Sequence, residues 1–360
     1  MTTSAAALTR AAQLRTAFEA AGAAPVETSI LQPAEVLLDL YGEEIRARAY
    51  VTSDALRGEQ VLRPDFTVPV VQMHMAHGAE PARYTYAGEV FRRQEHDPTR
   101  ANEYLQVGYE VFDRTDPAAA DAEVFARFQQ AVSNLSLRAV TGDIGILMAA
   151  VRGLKTTQAR KTALLRHIWR PRRFRGLLDR YAGRVEPSKH RRALIENEIP
   201  QIASPVTGKR SRAEIEERIT LLRRDAETPP LAKGEVDLLD ALLDVKEAMP
   251  FALHRLADLA VDMPSIAAAV EGMTRRADAL SEQGVDIDAL PFEASYGRTS
   301  MEYYDGFVFG FYAKLRADWP AIATGGRYDA LTRHLGAGEE IPAVGGVLRP
   351  DLMVQLEASA

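Results

Sequence analysis

The chain has 360 residues, 46% of them hydrophobic and 26% charged, with a formal net charge of −6 and no cysteine. That composition suits a globular protein with room for two or three domains of roughly 100–200 residues. The acidic balance argues against a protein coated in nucleic acid, and the lack of thiols removes disulfides, zinc–thiolate sites and cysteine nucleophiles together. It also fits a reducing, cytoplasmic location. No stretch approaches the ~20 apolar residues of a membrane span.

Residues 1–24 are rich in alanine, but Arg10, Arg15 and Glu19 interrupt them, which excludes a signal-peptide core. Leu8, Ala11, Leu14 and Phe18 fall at helical spacing and are expected to face inward. Pro33 is placed to open a helix running through Val36–Tyr41. Arg46–Val51 and Gln60–Leu62 read as strands around a turn at Ser53–Gly58. Val68–Met75 reads as a helix, and Arg83–Arg93 as a strand. From Tyr104 to Phe112 the period is two. It places Tyr104, Gln106, Gly108, Glu110 and Phe112 on one face, with Leu105, Val107, Tyr109 and Val111 on the other. Asp116-Pro117 opens a helix, with the acid as cap and proline in the first turn.

After about residue 150 the character changes. Residues 155–192 carry 13 Lys/Arg against two acids, and residues 211–285 are leucine, alanine and charge at helical spacing, broken by Pro229-Pro230 and Pro250. Strand character returns at Phe292, with aromatics from Tyr303 to Tyr312, a turn at Gly325-Gly326 and a last strand at Ala343–Leu348. The β-rich material at the two ends is expected to form one core around a single sheet. Its first part is 1–148 and its second 289–360, around an inserted, mainly helical domain at 149–288.

Gln106 and Glu110 project to one side of their strand with Gly108 leaving room between them. A buried glutamate beside an amide needs hydrogen-bonding partners, and a ligand bearing ammonium or imidazole N–H groups would supply them. Arg92 could hold a carboxylate or phosphate. Arg63-Pro64-Asp65-Phe66-Thr67 and Tyr303-Tyr304 add two further polar clusters. Taken singly, each of these residues reads more readily as structural, and spacing alone lifts none of them above that reading.

The residues Gly88 to Gln94 and Glu103 to Glu110, with the short loop between them, resemble motif 2 of the histidyl-tRNA synthetases. Arg63 to Thr67 is similar to that family's Arg-Pro-Glu-Gly-Thr segment, with Asp65 for the glutamate. Glu302-Tyr303-Tyr304 is similar to its Asp-Tyr-Tyr signature. Gly325 to Asp329 and Pro342 to Gly345 resemble its closing segment. The resemblance, which covers roughly 10–145 and 290–355, implies a mixed α+β, class II aminoacyl-tRNA synthetase-like core with a mainly antiparallel sheet flanked by helices. Carried over by position, Asp65, Thr67 and Gln106 would meet the ammonium of L-histidine. Glu110 and Tyr304 would meet its imidazole, Tyr303 would line the pocket, and Arg92 would lie near the carboxylate. Arg100 and Tyr104 match positions on the nucleotide side.

Three departures bear on function. Thr299 stands where the family has an arginine that activates histidine. Arg298 is adjacent, but on a strand it would point to the opposite face. The closing-motif arginine falls on Leu352, while Arg349 precedes Pro350, which a helix tolerates only in its first turn. Forming an adenylate relies on fixed cations, so losing two should disable it. The chain ends at Ala360, a few residues past the motif, so no anticodon-binding domain is expected.

A synthetase-like core of this kind resembles the regulatory subunits of short-form ATP phosphoribosyltransferase. That family implies a non-catalytic chain in histidine biosynthesis that activates a separate catalytic subunit and transmits feedback inhibition by L-histidine. It further implies a homodimer within a hetero-oligomer, no catalytic residues, no cofactor and no metal. The alternative is a synthetase-like ligase that activates an amino acid for a target other than tRNA. An RNA-binding reading rests on the 155–192 run, where His167, Trp169, Phe174 and Tyr181 interleave with the basic residues. A solvated or partner-docking helix face accounts for the run more simply.

Overall fold

The computed structural model describes residues 4–35, 47–94, 100–197, 208, 210–298 and 303–359. Helix α1 (Ala5–Ala20) starts at Ser4, whose hydroxyl accepts from Ala7 N. Its inward face is Ala7, Ala11, Leu14 and Phe18, while Leu8 is half exposed, so the apolar stripe runs one residue earlier than leucine spacing indicates. Small alanines let α1 lie close to the sheet, which a leucine at position 7 would not.

A small sheet follows, of β2 (Leu31–Pro33), β3 (Val51–Asp54) and β4 (Gly58–Leu62), in the order β2-β4-β3. The predicted strand at Arg46–Val51 is displaced: residues 47–48 are helical and the strand begins at Val51. Asp54 sets this register, because its Oδ1 accepts from Leu56 N and Arg57 N and turns the chain there. The predicted helix at Val36–Tyr41 lies outside the described residues.

Among the described residues the main sheet has nine strands. Helix α2 (Thr67–His77) leads into β5 (Ala82–Phe91), which pairs antiparallel with β6 (Glu103–Phe112) along its whole length. Helix α3 (Pro117–Ala131) is capped by Asp116, with proline in the first turn as expected. Strand β7 (Leu137–Asp143) comes next. The C-terminal part supplies β9 (Pro291–Glu293), β10 (Phe307–Ala313), β11 (Ala323–Arg327) and β12 (Ala343–Leu348). With β1 (Ala24–Pro25) and β8 (Lys246–Ala248), the order is β1-β5-β6-β12-β11-β10-β7-β9-β8. Among the described residues, only β1·β5 and β7·β9 pair in parallel. Gly325-Gly326, read from sequence as a turn, lies inside β11, where a side chain at Gly325 would collide with the Phe309 ring.

Between β7 and β9 lie α4 (Ile144–Gly153), α5 (Gln158–Arg166), α6 (Pro171–Tyr181), α7 (Lys189–Glu196), α8 (Arg212–Glu227), α9 (Lys233–Leu243), α10 (Met249–Asp262) and α11 (Ala267–Glu282). Helices α12 (Asp329–Leu335) and α13 (Pro350–Ala358) complete the fold. Pro350 takes the first turn of α13, the one helical position that does not need its N–H. No described helix is long and apolar enough to cross a membrane.

One face of the sheet packs under α1 and α3: Phe18 meets Tyr109 and Phe128, and Phe125 meets Phe307, Phe309 and Phe311. Beneath this layer is a buried ionic network. Asp121 receives Arg327 at 2.8 Å and Arg276 at 3.1 Å, and Arg276 also donates to Asp143. It ties α11 to α3 and the sheet, because two buried guanidiniums require acids within reach.

Part of the basic run at 155–192 is paired with acids elsewhere in the chain. Arg160 is buried against Asp225, Arg175 reaches Asp240, Arg184 reaches Asp237, and Arg191 reaches Asp225. The acids come from α8 and α9, so charge that looks unmatched in sequence is matched across helices.

Candidate functional site

The other face of β5–β6 carries the site. Period-two alternation places Gln106, Gly108 and Glu110 there, and cross-strand register sets Gly88, Tyr86 and Tyr84 opposite them. A Cβ at Gly108 would collide with the Tyr86 ring, so the space above the glycine is filled by a phenol. Tyr86 Oη donates to Glu110 Oε1 at 2.7 Å, and Thr67 Oγ1 donates to the same oxygen at 3.0 Å. From the far side Tyr328 Oη donates to Oε2 at 2.6 Å. The carboxyl group lies over Gly345 of β12, its direct strand neighbour, where any Cβ would displace it.

Glu110 is fully buried. Burial pushes its carboxyl up to about 7, against the pull of the Tyr328, Tyr86 and Thr67 hydroxyls. Three donors occupy three of its roughly four lone-pair directions. One acceptor direction is left for an N–H donor.

The Arg63–Thr67 segment builds the floor. Arg63 donates to the carbonyls of Glu89 at 2.8 Å and Thr28 at 2.6 Å, and its guanidinium lies 4.0 Å from the Phe66 ring centroid. Phe66 stacks on Tyr86 at 4.3 Å. Asp65 is buried, with its carboxylate 3.8 Å from the Arg92 guanidinium. Arg92 also donates to the Pro64 carbonyl at 2.7 Å. Gln106 is 1% exposed, and its Oε1 has no hydrogen-bond partner. A buried orphan acceptor of this kind is costly unless a ligand donates to it.

Tyr303 and Tyr304 form the wall. They precede β10 and are not part of it, a correction to the strand expected from Tyr303; aromatic composition favours a strand, but the ladder pairs only from Phe307 onward. The Tyr303 ring lies 5.0 Å from Tyr304 and 6.1 Å from Tyr328. Asp65, Thr67, Arg92, Gln106, Glu110, Tyr303 and Tyr304 therefore line one buried cluster. Tyr86 and Tyr328 belong to it too and were not singled out from sequence. The signals were present: Tyr86 faces Gly108 once the hairpin register is known, and Tyr328 lies in the Gly325–Asp329 segment.

The nucleotide-side positions differ. Tyr104 is half-buried, with the Arg349 guanidinium 5.8 Å from its ring. Arg100 is exposed and donates to the Asp318 carbonyl at 2.8 Å. Arg349 donates to the Ala321 carbonyl at 2.8 Å, and burial followed by repulsion from Arg92 and Arg100 lowers its pKa. Arg349 thus supplies a cation on the flank where the sequence pattern indicated a loss. Thr299 lies outside the described residues. Arg298 sits in a turn, not a strand, and still points away from the pocket. Among the described residues no group of three or more His, Asp or Glu is arranged to hold a metal ion.

The hairpin, the antiparallel sheet and the carboxyl group enclosed by hydroxyls define a class II aminoacyl-tRNA synthetase-like protein. Residues 3–352 match the family model described as histidyl-tRNA synthetase. A crystal structure of an ATP phosphoribosyltransferase regulatory subunit/histidyl-tRNA synthetase from Bacillus halodurans superposes with a TM-score of 0.68 at 20% identity, covering 98% of this chain and 79% of that one. A histidine–tRNA ligase subunit from Alicyclobacillus acidocaldarius gives a TM-score of 0.61 at 22% identity, covering 98% and 93%. In sequence, the chain is 31% identical to the ATP phosphoribosyltransferase regulatory subunit of Brucella ovis, over 92% of this chain and 93% of that one. It is 32% identical to that of Agrobacterium fabrum, over 93% of each. The chain belongs to the ATP phosphoribosyltransferase regulatory subunit family, a branch of the histidyl-tRNA synthetase-like proteins.

Proposed function

We propose that the chain is the non-catalytic regulatory subunit of an ATP phosphoribosyltransferase in histidine biosynthesis. In this reading L-histidine binds in the Glu110 cluster and transmits feedback inhibition to a separate catalytic subunit that this chain activates. The observation that carries it is the Glu110 carboxyl group, buried over Gly345 and held by Thr67, Tyr86 and Tyr328. A carboxylate fixed in this way, with one acceptor direction left, suits an imidazole N–H. Asp65 and the Gln106 oxygen suit an ammonium group, and Arg92 suits a carboxylate. Inhibition then requires only that histidine bind the inactive arrangement of the complex more tightly than the active one.

The reading places a synthetase-like core at 1–148 and 289–360 around a helical insert at 149–288, in the cytoplasm. It also expects a homodimer inside the larger assembly. Ile30, Leu31, Val51 and Leu56, exposed on or beside the three-stranded sheet, support a buried apolar contact there.

Calorimetric titration of L-histidine into the isolated chain tests the pocket, and binding in the micromolar range is expected. The same chain should catalyse no pyrophosphate exchange with histidine and ATP. Exchange above background would favour the second reading, a ligase that activates an amino acid for a non-tRNA target. Arg349 beside Tyr104, on the same flank as Arg92 and Arg100, is the observation that favours it.

A further inference from the structure

The pocket wall is also a seam. Residues 303–304 present their rings to the Glu110 cluster and their main chain to the helices after α4. The Tyr304 carbonyl accepts a hydrogen bond from Trp169 Nε1 at 3.1 Å. A few residues earlier, Arg298 is 5% exposed and crosses the same seam. Its Nε donates to the Ile168 carbonyl at 2.9 Å, and its guanidinium lies 4.7 Å from the Phe174 ring centroid. Its Nη2 has no hydrogen-bond partner, and no carboxylate is paired with it among the described ion pairs. Burial, and then repulsion from Arg175, push its pKa down to about 10. A buried guanidinium held by one carbonyl and one ring face is weakly compensated for the water it has lost.

The far side of the seam is stiff. Ile168 and Phe174 are buried, and Leu164 and Leu178 join them in the core. Arg160 on α5 fastens the unit to α8 through Asp225, with further bonds to the Thr228 and Pro229 carbonyls. The near side is pinned as well. Gly297 sits at φ +88, and a Cβ there would press on Val308 of β10. A displacement of the Tyr303–Tyr304 wall therefore has to be accommodated at Trp169, while Arg298, a few residues earlier in the chain, holds the same pair of helices through Ile168 and Phe174; packed elements of this kind rearrange as units and do not deform continuously.

We infer that Arg298 and Trp169 are positioning residues that couple the Tyr303–Tyr304 wall to helices α5 and α6, so that ligand in the pocket orders those helices and loss of the seam weakens ligand binding. The inference rests on the histidine reading of the pocket. By linkage the coupling is reciprocal: if histidine stabilises the docked helices, undocking them must lower histidine affinity by the same factor.

The chain has two tryptophans, so Trp319→Phe leaves Trp169 as the single reporter. L-Histidine is titrated into this full-length variant while Trp169 emission and amide exchange are followed. The expected result is a saturable change in Trp169 emission, with slower exchange both in 103–112, around Glu110, and in 158–181. Trp169→Phe, which removes the N–H and keeps a ring, and Arg298→Met are then compared by exchange and calorimetry. Each should weaken histidine binding by about three- to tenfold and abolish the protection of 158–181, while that of 103–112 persists at saturation. A merely structural role would lower thermal stability and leave the ligand-induced protection of 158–181 in place. Saturable binding that protects 103–112 but leaves Trp169 and 158–181 unchanged overturns the coupling and spares the pocket. Absence of any binding overturns the pocket reading and the coupling with it.

Discussion

On the Glu110 flank of the β5–β6 hairpin, a fully buried carboxyl group meets three hydroxyls drawn from α2, β5 and the end of β11. On the Arg92 flank, Arg92, Arg100 and Arg349 each donate to a main-chain carbonyl, of Pro64, Asp318 and Ala321 respectively. The first arrangement is preorganised for a donor that fits its remaining lone pair. The second places three cations near one another, with Arg100 exposed and Arg349 held down by burial and by its like-charged neighbours. Polar groups fixed in a dry site select a ligand strongly, whereas a water-screened charge such as that of the exposed Arg100 selects weakly. On the proposed function, the Glu110 flank is therefore the part of the site that would recognise the amino acid.

The largest effect that would test the contrast is at Glu110 itself. Glu110→Ala leaves three hydroxyls facing an empty space and removes the ligand's anchor. Histidine affinity should fall on the order of 100-fold or more, about 3 kcal/mol. A dissociation constant within a few-fold of the native chain would place the ligand elsewhere.

Gly345→Ala forces a methyl group into the space of the Glu110 carboxyl group. Urea unfolding should report about 1–3 kcal/mol of lost stability from overpacking. Gly176→Ala, in the middle of α6 with open space around it, is the matched control and should gain up to about 1 kcal/mol. Equal effects at the two glycines would mean that the close approach at Gly345 carries no energy.

Tyr328→Phe removes one donor. Histidine binding should weaken several-fold, about 1 kcal/mol, and the Glu110 pKa should rise above its present value of about 7. The sign follows from linkage. The folded-state pKa of Glu110 lies above its ordinary value of 4.5, so the folded chain binds the proton more tightly than the unfolded one. This group's contribution to stability is fully present below about pH 4.5 and is lost as pH rises through 7. Chemical denaturation of the unliganded chain between pH 5 and 8 should show that decline, and Glu110→Gln should flatten it.

The smallest effect is expected at Arg100, exposed on the opposite flank. Arg100→Ala should change stability by less than about 0.5 kcal/mol and leave histidine affinity within twofold. A large loss of affinity there would erase the distinction between the flanks.

Much of the site was legible because period-two alternation is local: Gln106, Gly108 and Glu110 share a face whatever surrounds the strand. The Asp116-Pro117 helix start and the Ala343–Leu348 strand were legible for the same reason. Tyr86 and Tyr328 were not, since their roles depend on which residues lie opposite Gly108 and Glu110. The pairing of the 155–192 run was not legible either. Its partners Asp225, Asp237 and Asp240 lie 34 or more residues away from the arginines they meet.

By itself the sequence determined the bounds of the Ala343–Leu348 strand, the helix start at Asp116-Pro117 and the face on which Glu110 lies, because each follows from spacing within a few residues, while the α+β class followed from the family resemblance. Tertiary structure alone decided that the space above Gly108 is filled by Tyr86, that Glu110 is held over Gly345 and that Arg349 returns a cation to the Arg92 flank. It also decided that Arg298 turns to Ile168 and Phe174. Those are contacts between strands and helices distant in the chain, set by register and packing, which no local pattern encodes.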